Sequence, residues 1–244
     1  MSSERYVALF DILGFKTIVG NNLLDRVVQI FGEFLRDAEG YQIFATVLGP
    51  ESRQLISFKV FSDTIFVYSH DASIEAFQRL VKFCQFLVGN SFNKGLLLRG
   101  AITKGEVVIR DDIFIGKPIV RAYQMEQEQD WVGCWIDDVC ISDEKPKYKS
   151  LIWDYASIQY DIPLKSGVVE QHWALNWVWA VALPTKKKEL DNEINRRFTI
   201  LSQQSEITWD VKRKIANTKM FIEYAYYRMN PEERKSLKLF NNKY

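Results

Sequence analysis

Residues 7–15 read Val-Ala-Leu-Phe-Asp-Ile-Leu-Gly-Phe, an apolar run interrupted by one acid. The run predicts a buried strand over residues 5–11, and Gly14 allows a tight turn after it. Leu23, Leu24, Val27, Val28, Phe31, Phe34 and Leu35 then recur at helical spacing, predicting a helix over 16–38 that Gly40 ends. Two short apolar runs, 55–61 and 64–69, flank Ser62-Asp63 and predict a hairpin. Residues 73–90 return to helical spacing through Ile74, Phe77, Leu80, Val81, Cys84 and Leu87, and Asn90 to Gly95 reads as a loop. Residues 96–109 read as strand, and 117–128 as a helix with Pro118 in its first turn. Segments 132–141, 158–164 and 168–182 are apolar and β-rich. From Lys186 the pattern is polar and helical to Met229, and Asn230-Pro-Glu-Glu-Arg234 opens a last short helix.

The order β-α-β-β-α-β, followed by further helices and strands, predicts an α+β ferredoxin-like sandwich. That is an antiparallel sheet with helices on one face. A boundary is expected near Pro184, giving a domain over 1–184 and a C-terminal helical extension over 185–244. In such a sheet the first strand and the hairpin lie side by side, so Asp11 and Asp63 meet at one edge. A lone carboxylate at the end of a buried strand is costly unless something cationic pairs with it. Two of them on neighbouring strand ends can hold a divalent metal, the equipment for handling a nucleoside triphosphate. Each residue also has a plainer reading. Asp11 suits a helix cap, Asp63 a hairpin turn, Arg99 a surface salt bridge and Lys59 the protection of a strand edge. Trp173, Trp177 and Trp179 read as core or dimer surface.

Composition narrows the field. The chain has 244 residues, 47% hydrophobic and 14% aromatic, so a sizeable core is expected. The net charge of +1 gives no basis for nucleic-acid binding, and Lys186-Lys187-Lys188 reads as solvated surface. Three cysteines without a CxxC pair suit a reduced, cytoplasmic setting. Neither a signal peptide nor a transmembrane stretch is expected, so no membrane partner is implied. Two distant histidines speak against a His-rich zinc site, and neither a Walker loop nor a GxGxxG turn is present.

Four segments, in order, resemble the class III nucleotidyl cyclase catalytic domain. Within it they resemble the small bacterial pyrimidine nucleotide cyclases of the Pycsar anti-phage systems. Phe10-Asp-Ile-Leu-Gly-Phe15 resembles the first metal-binding strand end. Lys59-Val-Phe-Ser-Asp63 resembles the hairpin that carries the second acid. Leu98-Arg-Gly-Ala-Ile-Thr-Lys-Gly105 resembles the next strand. Phe114-Ile-Gly116 through Ala122-Tyr-Gln-Met-Glu126 resembles the turn and helix that close the site. The resemblance covers roughly residues 5–182.

It implies two divalent ions, manganese or magnesium, held by Asp11 and Asp63 with the Ile12 carbonyl assisting. It further implies that Phe10 packs near the nucleotide, that Lys59 reads the base, and that Lys165 and Arg99 meet the triphosphate. Family members act as homodimers with the site between subunits. The implied reaction turns UTP into 3′,5′-cyclic UMP and pyrophosphate, with CTP and cyclic CMP as the alternative. The product would be an anti-phage second messenger for a cyclic-nucleotide-activated effector. One departure stands out: conventional adenylate cyclases carry asparagine and arginine where this chain has Val120 and Gln124. Either Arg99, Lys104 or Arg121 replaces that arginine, or the chain is a degenerate, non-catalytic nucleotide-binding module.

Overall fold

The computed structural model describes residues 2–21, 24–47, 54–111, 113–141, 156–181, 187–202 and 208–229. The expected boundary at Pro184 and the helix expected from Asn230 lie outside them. Eight strands form one sheet: β1 Ser3–Ile12, β2 Ile56–Phe61, β3 Thr64–Ser69, β4 Leu98–Arg110, β5 Ile113–Gly116, β6 Cys134–Ile136, β7 Ser157–Pro163 and β8 Val169–Leu175. Six helices accompany them: α1 Phe15–Asn21, α2 Leu24–Val47, α3 Ile74–Asn93, α4 Lys117–Glu128, α5 Lys187–Ser202 and α6 Trp209–Arg228. The strand order is β2-β3-β1-β4-β6-β8-β7, with β5 pairing to β4. The first four are antiparallel neighbours, as the ferredoxin-like reading requires. The β4–β6 pair is parallel, because α4 forms a crossover between them.

Successive side chains on β1 point to opposite faces. Tyr6 packs its ring 4.5 Å from that of Phe77 on α3. Val7 instead joins a small cluster with Phe66 and Val107, against which Ile119 of α4 packs. So α3 and α4 cover opposite faces, where the sequence suggested helices on one face only. The face under α3 is the deeper core, holding Ala8, Phe10, Ile12, Phe77, Phe83 and Leu87.

The helix expected over 16–38 is two helices, and Gly40 lies inside the second. An exposed interior glycine costs a helix only about 1 kcal/mol. Here Phe34 and Ala38 are fully buried and Tyr41 stacks 4.3 Å from Phe86, so packing carries α2 through it. The loop expected at Asn90 to Gly95 begins later, since α3 continues to Asn93 and Gly95 takes the turn at φ +77°. Buried Phe92 packs 5.0 Å from Trp177 and 5.6 Å from Phe198, which holds that extra turn. Segment 132–141 supplies only β6 and then a 3-10 turn. Segment 168–182 gives β8 and a 3-10 turn over Trp177–Ala180. Trp177 is core, and Trp173 and Trp179 are partly buried against it.

Gly100 and Gly40 differ in what surrounds them. A Cβ at Gly100 would meet the Phe10 ring at 2.3 Å and the Leu9 carbonyl at 2.5 Å, whereas at Gly40 it would meet nothing within 4 Å. Gly100→Ala is expected to destabilise the chain by about 1–3 kcal/mol through overpacking. Gly40→Ala should stabilise it by roughly 0.5–1 kcal/mol. Urea unfolding of both variants checks the two signs.

Candidate functional site

Asp11 is the next-to-last residue of β1, and its direct cross-strand partners are Thr64 on β3 and Arg99 on β4. Partners in an antiparallel ladder share a face. Asp11 and Arg99 therefore emerge side by side on the face that α4 covers. The β2–β3 hairpin is tied to the same strand end, because the Ile12 N–H donates to the Asp63 carbonyl at 3.0 Å. Ser62 takes the tight turn at φ +56°, and Gly14 takes the turn into α1 at φ +75°. The two aspartates that the sequence reading paired are thus brought to one strand end.

Arg99 is only 4% exposed. Its Nε donates to Glu126 Oε1 at 2.5 Å, Nη2 makes a second close contact with the same oxygen, and Nη1 donates to the Gln129 carbonyl at 3.1 Å. Glu126 Oε2 accepts from Gln127 at 2.6 Å. Gln129 is itself fixed, donating to the Gly100 and Met125 carbonyls and accepting from the Trp131 indole. Arg99, which the plainer reading puts in a surface salt bridge, is buried and paired with Glu126. A cluster of Arg99, Glu126, Asp11, Asp63 and Lys165 results, in which each charge is felt by Asp11.

Burial and the nearby Glu126 carboxylate push the Asp11 pKa up to about 6; Asp63 adds to this, while Arg99 and Lys165 oppose it. Lys165 lies in the turn after β7, and its backbone N–H donates to the Glu128 carbonyl at 2.8 Å. Its pKa is lowered, first by burial and then by Arg99. Three carboxylates against two cations leave a pocket with a net demand for positive charge. Oxygen donors of this kind fit magnesium or manganese. Among the described residues no group of three His, Cys, Asp or Glu side chains forms a ready-made cation site. Asp11, Asp63 and the Ile12 carbonyl would hold ions whose remaining positions water and phosphate oxygens complete.

The other expected residues stand apart to different degrees. Phe10 is fully buried on the opposite face of β1, with Gly100 beside its ring. It supports the strand end from beneath, with its ring in the core. Lys59 pairs with Phe66 and so shares the Asp11 face, but it sits two strands across from β1, about 10 Å away. Lys104 is five residues along β4 from Arg99, about 16 Å, and pairs with Glu4. Arg121 pairs with Asp137 at 3.2 Å and lies over Trp135. Of the three cations considered for the role of the missing arginine, only Arg99 is in the cluster.

Glu126 lies in the closing segment, and the resemblance assigns it no role. Its signal was present: Pro118, Ala122 and Met125 make the buried stripe of α4, and Glu126 falls on that stripe. An acid there needs a buried partner. Asp130, just after α4, is also buried and was not singled out.

No protein-family model matches the chain, and no curated protein matches it in sequence. Solved structures do match it in shape. A bacterial light-regulated adenylyl cyclase superposes with a TM-score of 0.52 at 10% identity, covering 84% of this chain and 100% of that one. The catalytic core of a rhodopsin-guanylyl cyclase with converted specificity, in complex with ATPαS, superposes with a TM-score of 0.51 at 13% identity, covering 72% of this chain and 96% of that one. The mixed sheet and helices match the fold of the class III cyclase catalytic domain.

In the metal-free protein Asp11 should titrate near pH 6. Its folded pKa lies above the usual carboxylate value, so between about pH 4 and 6 it stays protonated in the fold while the unfolded chain ionises. This group's contribution to stability therefore falls as pH rises through that window. Carboxyl-detected NMR titration in chelator checks the value. Manganese affinity should weaken below the same pH, because proton and metal compete for one carboxylate.

Proposed function

We propose that the chain is a nucleotidyl cyclase, converting a nucleoside triphosphate to its 3′,5′-cyclic monophosphate and pyrophosphate. The observation that carries this is the Asp11–Asp63–Arg99–Glu126–Lys165 cluster at the end of β1 on a class III cyclase fold. Bound at Asp11 and Asp63, divalent ions supply Lewis-acid activation of the ribose 3′-hydroxyl and a counter-charge for the triphosphate. The chain's own residues do the rest. Glu126 and the Gln129 carbonyl hold the Arg99 guanidinium beside Asp11, where it offsets charge gathering on the phosphates. Lys165 brings a second cation to the same side.

UTP is the proposed substrate and CTP the alternative. This finer reading is what the resemblance of residues 116–126 to the pyrimidine cyclases implies; Val120 and Gln124, where conventional adenylate cyclases carry asparagine and arginine, speak only against an adenylate cyclase. The product is proposed to act as an anti-phage second messenger through a separate effector. A homodimer with shared sites is proposed as well. Five exposed apolar side chains support it: Phe61, in the same cross-strand row as Asp11, and Ile113, Ile115, Val120 and Tyr123 around α4. Among the described residues no helix is long and apolar enough to cross a membrane. The second reading, a non-catalytic nucleotide-binding module, is favoured by the same Val120 and Gln124 substitutions.

Purified protein incubated with ATP, GTP, CTP or UTP and manganese is expected to yield cyclic UMP or cyclic CMP by mass spectrometry. A cyclic purine product keeps the cyclase and overturns the pyrimidine assignment. Triphosphate binding without pyrophosphate release marks the non-catalytic module. Asp11→Ala and Asp63→Ala should each lower turnover by at least about 1,000-fold with unchanged circular dichroism, and retained activity in either removes the two-metal site.

Lys59→Ala tests the base-reading role. It should change the ratio of kcat/KM values among the four triphosphates without lowering the melting temperature, since Lys59 is exposed on edge strand β2. An unchanged ratio excludes it as base reader.

A further inference from the structure

Helix α6 reaches the back of the cluster through one residue. Asp130 is 2% exposed and stands directly after the segment that carries Glu126 and Gln129. Three side chains of α6 converge on it. Arg213 binds both carboxylate oxygens, with the Nη2–Oδ1 contact at 3.2 Å, and Lys214 Nζ lies 3.5 Å from Oδ1. Asn217 Nδ2 donates to the Asp130 main-chain carbonyl at 2.7 Å and to Oδ2 at 3.3 Å. One turn on, the buried Thr218 hydroxyl accepts the Val132 N–H at 2.8 Å and donates to the Lys214 carbonyl at 2.6 Å. Phe221 completes the dock, its ring 4.6 Å from Trp131 and 4.9 Å from Tyr160.

The clasped segment is the one that fixes both phosphate-side cations. The Gln129 carbonyl accepts from Arg99, and the Glu128 carbonyl accepts the N–H of Lys165. The Asp130 N–H donates to the Pro163 carbonyl at 2.9 Å, two residues before Lys165. Residues 128–130 are therefore a short bar. Arg99 and Lys165 hang from one side of it, and α6 grips the other. Lys214 and Asp130 are also near enough to affect the Lys165 ammonium.

We propose that Asp130 is a positioning residue for the triphosphate side of the site: by fastening residues 128–130 to α6, it holds Arg99 and Lys165 at the spacing a polyphosphate needs. The proposal rests on the nucleotidyl cyclase reading and gives the C-terminal extension a part in it. Asp130 and α6 touch no substrate; they act through backbone carbonyls on the residues that do. A bar that tilts misplaces both cations together, while Asp11 on β1 and Asp63 in the β2–β3 turn are not fastened to it.

The test uses the full chain with Asp130→Asn, Asn217→Ala and Lys165→Ala, and the two former each combined with Lys165→Ala. The probes are manganese alone, manganese tripolyphosphate, and the nucleoside triphosphate that the wild type turns over. Asp130→Asn and Asn217→Ala are each expected to weaken tripolyphosphate binding by about tenfold, the size of one lost charge-assisted contact. KM should rise by a similar factor, and manganese affinity should stay within about twofold. Combined with Lys165→Ala, each should weaken binding further by less than it does alone, because only the part of the effect carried by Arg99 remains. Folded variants with wild-type tripolyphosphate affinity overturn the proposal, as do losses that simply multiply with that of Lys165→Ala. If Asp130→Asn fails to fold, Asn217→Ala decides alone. A wild type that binds tripolyphosphate without making a cyclic product overturns the cyclase reading, and the affinities still decide the positioning role. A wild type that binds no tripolyphosphate overturns both.

Discussion

The buried pair between Arg99 and Glu126 ties the site together. Two ions removed from water are costly, and their attraction offsets that cost only where the remaining donors and acceptors are also satisfied. Here they are: Glu126 takes Gln127 on its second oxygen, and Arg99 gives its remaining contact to the Gln129 carbonyl. The pair locks α4 to β4 and sets a guanidinium beside Asp11. It also dictates the order of the next residues, since Gln129 must present its carbonyl inward while its side chain braces Gly100, Met125 and Trp131.

That same pair governs the electrostatics of the strand end. Arg99 alone would stabilise the Asp11 carboxylate, yet burial and Glu126 outweigh it and raise its pKa to about 6. The face carrying Asp11 also exposes the apolar side chain of Phe61 at 85%. Charge demand and uncovered apolar surface lie together on the face away from α3.

The C-terminal helices are part of this construction. α5 packs through Phe198 on Phe92 of α3, α6 packs through Phe221 on Trp177, and α6 anchors on Asp130. Tyr224 and Tyr226 of α6 turn inward, whereas Tyr227 is exposed. Tyr224 donates to the Gln159 carbonyl at 2.9 Å, and Tyr226 is buried. The three cysteines are likewise buried thiols, and burial raises the pKa of each.

The first four strands, the hairpin and α3 were legible because their signals are local: alternation for strands, helical spacing for α3, and turn chemistry at Ser62-Asp63. The meeting of Asp11 with Asp63 followed from strand order, which element sequence alone constrains. The parallel β4–β6 pair and the placing of α4 opposite α3 were decided by tertiary structure, since a crossover can be laid down only against a finished sheet. The reach of α2 past Gly40 and of α3 to Asn93 was also decided there, because buried aromatics override weak backbone preferences. Phe10 shows the limit most plainly. Its neighbour Asp11 turns toward the charged site while Phe10 turns into the core, and one residue of strand register separates the two outcomes. The charged or amide partners that Arg99 finds in Glu126, and Asp130 in Arg213 and Asn217, lie 27 to 87 positions away along the chain, a distance across which charge complementarity leaves no local pattern to read.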